Sequence, residues 1–143
     1  MMSRHLNIVK EKVDYIRSNS NIIYKDSFLP SYGKISLKNA YYVKYCIGYY
    51  SLWGYDNYRP YEKKSQSIII RTKDLDTLVF YVFWEATKLL VRDYSLNHID
   101  ETYFNRTNEI RKIIEVMQSL GFEQRFIDVL RSNYGSVNNT SVF

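Results

Sequence analysis

The imidazole and thiol side chains of this 143-residue sequence, which can ligate metals or act as nucleophiles, are three: His5, Cys46 and His98. A metal site needs several such groups at ligand spacing, and these three lie far apart in the chain. We expect His5 on the polar side of a first helix and His98 in a turn between helices, where capping or solvation is its expected role. Cys46 falls in an apolar, strand-like run, which predicts a buried and inert thiol. The sequence therefore predicts no metal, no cofactor and no catalytic residue of these types.

Paired carboxylates are the other candidates for chemistry. Asp74 and Asp76 lie at the start of one predicted helix, and Asp100 and Glu101 lie at the start of another. Acidic residues at a helix N-terminus are explained by the helix dipole, without general acid–base catalysis. The sequence has no glycine-rich phosphate loop and no Gly-x-Ser-x-Gly elbow. We therefore predict that the chain is not an enzyme.

The aromatic content is the unusual feature, since fifteen Tyr, seven Phe and two Trp make 17% of the chain. Tyrosine combines an apolar ring with a polar tip, and protein interfaces favour it. Two alternatives stay open: the excess reflects an AT-rich genome, or each ring belongs to the core. On strands that carry rings on both faces, however, part of the set must face outward. The residues predicted to bind a partner are Tyr42, Tyr50, Trp53, Tyr55, Tyr58, Arg59 and Tyr61.

Charge is distributed unevenly along the chain. Residues 1–73 carry 13 Lys/Arg and 5 Asp/Glu, a net charge of +8, whereas residues 74–143 carry 7 and 10, a net charge of −3. This asymmetry permits an acidic partner for the N-terminal half. The alternative function is a nucleic-acid-binding or general interaction module that uses a basic, tyrosine-rich sheet face, because lysines and arginines accompany tyrosines that could stack bases. The strand consensus of RNA-recognition domains is absent, so we predict a protein partner and expect no nucleic acid.

Hydrophobic periodicity indicates which elements position these residues. Apolar residues at helical spacing predict a first helix from Ser3 to about Arg17. Runs of aromatic and β-branched residues predict three strands over 41–47, 49–55 and 65–71. Their short connections favour an antiparallel meander.

Three more helices are predicted after the strands. The first begins at Leu75, after the caps Thr72 and Asp74, and runs to about residue 94. The second covers about 101–120 and stops at Gly121, and a short one follows over about 122–132 and is expected to pack through Phe126, Val129 and Leu130. The predicted fold class is α+β: an N-terminal helix, a small antiparallel meander of three to four strands, then two long helices and a short C-terminal helix packed on one sheet face. We expect one domain over 1–133 and a frayed tail over 134–143.

No basic-then-apolar leader opens the chain, and its apolar runs are too short to cross a bilayer. We therefore expect a cytoplasmic protein without membrane contact. The oligomeric state is left open by the sequence.

The string TKDLDTLVFYVFWEAT, residues 72–87, resembles the helix-opening motif of immunity protein family 63, one of the families encoded beside bacterial polymorphic toxins. The shared features are an Asp-Leu-Asp-x-Leu start and an aromatic-rich helix with Phe83 and Trp84. The resemblance spans about residues 29–130. Other similar segments within this range are 29–33, 41–43, 48–50, 94–98 and 115–121. A departure is that residues 105–111 hold fewer Arg and Asp than the family has there. The first helix has no counterpart that we can match.

The resemblance implies an inhibitor that binds a cognate toxin in the cytoplasm and performs no chemistry. It implies no particular toxin-contacting residues. Nuclease toxins are typically basic, and this chain is basic too, with a pI near 9.2. We therefore expect that its toxin is not a nuclease whose cationic groove is blocked by the inhibitor.

Overall fold

The computed structural model describes residues 3–36, 38–55, 66–97 and 106–133. Backbone contacts divide the chain into two compact units, Met1–Phe83 and Trp84–Phe143. The single domain predicted over 1–133 remains a prediction, and the tail 134–143 lies outside the described residues.

Helix α1 (Arg4–Ser18) begins at the N-cap Ser3, whose Oγ accepts a hydrogen bond from the Leu6 N–H at 3.3 Å. Leu6, Val9 and Val13 are its buried residues, at the spacing of one helical face. The helix predicted from Ser3 to Arg17 is therefore confirmed. After α1, a short 3₁₀ turn (Asp26–Phe28) leads into the sheet.

The sheet has the strand order β1 (Ser31–Tyr32), β2 (Tyr41–Cys46), β3 (Tyr49–Tyr55) and β4 (Gln66–Thr72). Strands β2, β3 and β4 form the predicted antiparallel meander.

Strand β1 departs from the prediction, because it pairs with β2 in parallel and the sheet is mixed. The Ala40 N–H donates to the Ser27 carbonyl at 2.9 Å, and the Asn39 side-chain amide donates to the Leu29 carbonyl at 2.9 Å. These bonds bring residues 39 and 40 back beside residues 27–29. Strand β2 therefore begins next to β1 and runs in the same direction.

Three further helices follow in the predicted order: α2 (Leu75–Asn97), α3 (Arg106–Ser119) and α4 (Gln124–Asn133). The α+β class and the element order are confirmed. Within the described ranges, no helix combines the length and apolarity needed to cross a membrane.

The first unit has a core in which α1 contributes its three buried residues, the sheet contributes Val43 and Leu52, and Tyr24 meets Phe83 edge to face at 5.6 Å. An ion pair of 2.7 Å joins Lys12 of α1 to Asp76 at the start of α2.

The second unit has a core formed by α3 and α4 with the second half of α2. The Thr87 hydroxyl contacts the Met117 sulfur at 3.4 Å, and Arg92 pairs with Glu109 at 3.3 Å. Its buried side chains on α3 and α4 are Ile110, Ile113, Ile114, Met117, Phe126, Ile127 and Leu130.

One single-residue expectation for the helices is wrong. Val129, expected in the core, is exposed and Ile127 is buried in its place, because the buried face of α4 is turned toward Ile127. Trp84 lies outside the apolar stripe of α2 and is nevertheless buried. Between Leu78 and Thr87, every residue of α2 is buried except Tyr81, which is partly buried.

Candidate functional site

The pairing of β2, β3 and β4 divides the sheet side chains between two faces, because residues opposite each other in an antiparallel pair share a face. Tyr42 lies opposite Trp53, and Tyr45 lies opposite Tyr50. We define the inner face as the side of Tyr45 and the outer face as the side of Trp53. The inner face comprises Tyr41, Val43, Tyr45, Tyr50, Leu52, Gly54, Ile70 and Thr72. The outer face comprises Tyr42, Lys44, Cys46, Tyr49, Ser51, Trp53, Ile68 and Arg71.

The inner face packs against α1. The imidazole of His5 stacks on the Tyr45 ring with 3.9 Å between the ring centroids and 16° between the planes. Tyr50 completes this aromatic group, at 4.9 Å from the Tyr45 ring and 6.4 Å from His5. The inner face is therefore the core side of the sheet in the first unit.

The outer face carries two groups of aromatic rings, each with a cation above it. In the first group, the rings of Tyr42 and Trp53 stack at 6.0 Å with 8° between their planes. The Lys44 Nζ lies 5.2 Å from the Tyr42 centroid and 5.3 Å from the Trp53 centroid. The indole N–H of Trp53 donates to the Ser51 Oγ at 2.8 Å, which fixes the ring. These distances are within the range of cation–π attraction.

In the second group, two cations share one tyrosine. The Arg71 guanidinium lies 4.4 Å from the Tyr49 centroid, and the Lys73 Nζ lies 5.0 Å from it. Ile68 lies opposite Trp53 of the first group and is 46% exposed, so it adds an apolar side chain to the outer face.

The outer face is electrostatically positive. Lys44, Arg71 and Lys73 take part in no ion pair in the described part of the chain. Within the described ranges, the groups close to these charges are ring faces, and the surface is suited to an acidic partner.

The residues predicted to bind a partner are not all on this face. Tyr42 and Tyr50 are buried, with only 1% and 8% of their surfaces exposed, so the expectation that both rings are exposed to a partner is wrong. Tyr50 points to the core face, and Tyr42 lies beneath Lys44 and beside Trp53. Trp53 is half-buried on the outer face.

The other predicted residues fall outside what the structure describes. Tyr55 ends β3, but its side chain is not described, and Tyr58, Arg59 and Tyr61 lie outside the described residues. Sequence reasoning missed the second group, formed by Tyr49, Arg71 and Lys73. Period-2 alternation from Trp53 pointed to Tyr49, whereas the position of Arg71 depends on how β4 pairs with β3.

The residues first considered for chemistry have other roles. Cys46 is exposed and not buried as predicted, because it ends β2 beside the hairpin turn. A carboxylate oxygen of Asp74 accepts the Thr77 N–H at 3.2 Å and thereby caps α2. Asp76 forms the ion pair with Lys12 already described. His98, Asp100 and Glu101 lie outside the described residues.

Among the described side chains, no group of three or more His, Cys, Asp or Glu is placed to hold a metal ion. The fold and the outer face together define an α+β chain with a basic, aromatic sheet surface. Comparison with protein-family models, with curated proteins and with solved structures found no match.

Proposed function

We propose that this chain is an immunity protein that binds and neutralises a cognate bacterial toxin in the cytoplasm, by protein–protein contact and without catalysis. The observation that carries the proposal is the outer face, where Trp53 and Tyr49 are held on a sheet beside three cations that have no ion-pair partner among the described residues. The resemblance of residues 72–87 to immunity protein family 63 supports the toxin as the partner.

The side-chain types on this face are those that contribute most to binding energy. Trp, Tyr and Arg predominate among the residues whose truncation weakens protein complexes most. Here Trp53 is held by the hydrogen bond to Ser51, and Tyr49 by the cations above it. Little side-chain entropy is lost when a partner covers rings that are already ordered. An interface of standard size covers about 800 Å² of each partner.

The charge of the face indicates the chemistry of the toxin surface. Three cations on this face, and a net charge of +8 over residues 1–73, would repel a basic protein and attract an acidic one. We therefore expect the toxin to present an acidic patch, and expect that the chain does not plug the cationic groove of a nuclease.

Single-stranded nucleic acid is a second candidate, because aromatic rings and cations share one sheet face. In this chain, however, Arg71 covers Tyr49 and Lys44 lies over Trp53, at the ring faces on which a base would stack. A linear fall of oligonucleotide affinity with the logarithm of salt concentration, from useful affinity at low salt, would favour this second candidate.

The test is co-expression of the chain with the toxin encoded beside it. The wild-type chain should restore growth, and Arg71→Glu or Trp53→Ala should weaken toxin binding by roughly tenfold or more. The matched controls are Lys10→Glu and Tyr15→Ala, at exposed positions of α1. Each variant is compared by calorimetry for binding and by thermal unfolding for stability. The proposal fails if the wild-type chain gives no protection, or if the outer-face variants bind as well as the controls.

A further inference from the structure

The edge of the sheet beside β2 is only partly covered. Strand β1 pairs with β2 at two positions, Ser31 with Tyr42 and Tyr32 with Val43. The Gly33 N–H then donates to the Val43 carbonyl at 2.8 Å, and the chain turns away at Gly33, whose φ is +77°. Strand β2 continues for three more residues, Lys44 to Cys46. On its β1 side, the described chain places no strand beside these three residues.

The peptide groups of Tyr45 point toward this open edge. In an antiparallel ladder, alternate residues direct their N–H and C=O groups to opposite neighbours. The Val43 carbonyl faces the β1 side, since it accepts from Gly33, and Tyr45 is two residues further on. The described chain supplies no hydrogen-bond partner to the Tyr45 N–H or C=O on that side. An extended segment laid against this edge could bond to both groups.

A groove runs along the same edge and has a volume of about 560 Å³. Leu6 and Tyr45 give it apolar walls, and Gly33 lies against Leu6, so closely that an added Cβ would be 3.1 Å from the Leu6 Cδ1. The residues that line it are Ser3, Leu6, Tyr32, Gly33, Lys34, Lys44, Tyr45 and Cys46.

The charge of the groove is positive. Lys34 and Lys44 both line it, and neither forms an ion pair within the described residues. No lining residue is acidic. The N-terminus of α1 lies at the groove, and its first turn holds no acidic residue to offset the helix dipole. A segment with carboxylates at alternate positions would complement both lysines.

We propose that the open edge of β2 from Lys44 to Cys46 binds an extended acidic segment of a partner protein by strand addition. This inference goes beyond the proposed function, because it requires only that the partner has an extended acidic segment, and not that the partner is a toxin. A second copy of this chain does not fit, since edge-to-edge pairing of two β2 strands would bring Lys44 near its own copy in a chain of net charge +5. The partner's backbone bonds to Tyr45, one set of its side chains enters the groove toward Leu6, and its carboxylates pair with the two lysines.

The experiment uses the full chain and a short peptide of alternating valine and glutamate. Fluorescence anisotropy measures the affinity, and amide hydrogen exchange followed by NMR measures protection of the Tyr45 N–H. Cys46, the one cysteine of the sequence, adds a third measurement, because a bound strand should slow its reaction with a thiol reagent. The control peptides are valine alternating with lysine, and the glutamate peptide methylated at its backbone nitrogens.

Saturating glutamate peptide should protect the Tyr45 amide, slow the Cys46 reaction and lose affinity at high salt. Lys34→Glu or Lys44→Glu should weaken binding on the order of tenfold, while the control Lys10→Glu on α1 should leave it unchanged.

Several results would overturn the proposal. These are no binding at millimolar peptide, equal binding of the lysine or methylated peptide, or an unprotected Tyr45 amide. Sedimentation that shows a dimer broken by Lys44→Glu would assign the edge to a second copy instead. None of these outcomes depends on the toxin, so the proposed function is tested separately by the co-expression experiment.

Discussion

At the scale of single residues, the hairpin turn between β2 and β3 shows a local conflict between residue type and backbone conformation. Ile47 and Gly48 connect the paired residues Cys46 and Tyr49, with φ values of 51° and 80°. Positive φ at both central positions is the type I′ turn, which favours Asn-Gly. Ile47 is β-branched and 88% exposed, so it is disfavoured in this conformation and has little packing to compensate.

Replacement of Ile47 by asparagine should therefore stabilise the protein. We expect Ile47→Asn to raise the free energy of unfolding by about 1 kcal/mol, since asparagine tolerates the left-handed region. Gly48→Ala is the matched opposite change and should lower it, because alanine at φ 80° is strained although space is open around it. Urea denaturation of the wild type and of the two variants measures these free energies of unfolding. An unchanged or lowered free energy for Ile47→Asn would contradict this account of the turn.

Tyr49 and Tyr50 are neighbours in sequence with opposite environments. Tyr50 is buried on the inner face beside Tyr45 and His5, whereas Tyr49 is half-buried on the outer face beneath Arg71. The sequence predicts that Tyr50 and Tyr58 bind a partner, so that alanine at either position should weaken toxin binding and barely move the melting temperature. The burial of Tyr50 reverses that expectation for it, and Tyr58 lies outside the described residues.

We expect Tyr50→Ala to destabilise the fold by about 3 kcal/mol, and Tyr49→Ala by less than about 1 kcal/mol. Tyr49→Ala should instead weaken partner binding, since it removes the ring on which Arg71 and Lys73 rest. Chemical denaturation measures the first effect and calorimetric titration with the toxin measures the second. Equal stabilities of the two variants would show that the two faces of β3 are misassigned.

At the scale of elements, β1 and α1 meet at Tyr32. Burial and, to a smaller extent, the nearby Asp14 carboxylate of α1 raise the pKa of the Tyr32 hydroxyl above its ordinary value of 10.0. Tyr32 therefore keeps its proton to a higher pH in the folded chain than in the unfolded chain. The folded state then binds more protons at alkaline pH, so the free energy of unfolding must fall as the pH rises.

The contribution of Tyr32 should be fully present below pH 10.0 and lost progressively above it. Tyr32→Phe removes the titrating hydroxyl and should make the alkaline decline in stability shallower. Tyr15→Phe, at a position that is 70% exposed, should leave the decline as it is in the wild type. Denaturant unfolding at a series of pH values provides the slopes. The same slope for Tyr32→Phe and the wild type would refute the linkage.

Helix α2 shows how one element takes its start from local sequence and its burial from tertiary packing. The carboxylate of Asp74 caps it, and Leu75 begins it, as the sequence predicted. The extent of its burial was not evident from a single apolar stripe, because Phe80 and Trp84 lie off that stripe and are nevertheless buried.

At the scale of the whole molecule, charge is the property that bears on association. The net charge of +8 over residues 1–73 coincides with the part of the chain that contains the outer face and the β2 edge. Long-range attraction between exposed charges speeds the encounter of oppositely charged proteins and is screened by salt within about 10 Å at 0.1 M.

If the toxin presents an acidic surface, its association rate with this chain should fall steeply as salt rises, while its dissociation rate changes little. Stopped-flow measurement at increasing NaCl concentrations gives both rates. Lys44→Glu should lower the association rate at low salt. The association rates of this variant and of the wild-type chain should become equal at high salt. An association rate independent of salt would contradict electrostatic steering by the basic half.

The sequence by itself determined the α+β class, the order of the helices and the three longer strands, because periodicity and capping are local properties. Asp74, Gly48 and Gly121 each mark a boundary that the structure places there or within one residue. Tertiary structure alone decided which rings are covered. Alternation along a strand divides its side chains into two sets, but only the packing of α1 determines that the set of Tyr50 lies inside and that of Tyr49 outside. The parallel pairing of β1 and the exposure of Cys46 have the same origin, since each depends on contacts between residues distant in sequence, which no local pattern encodes.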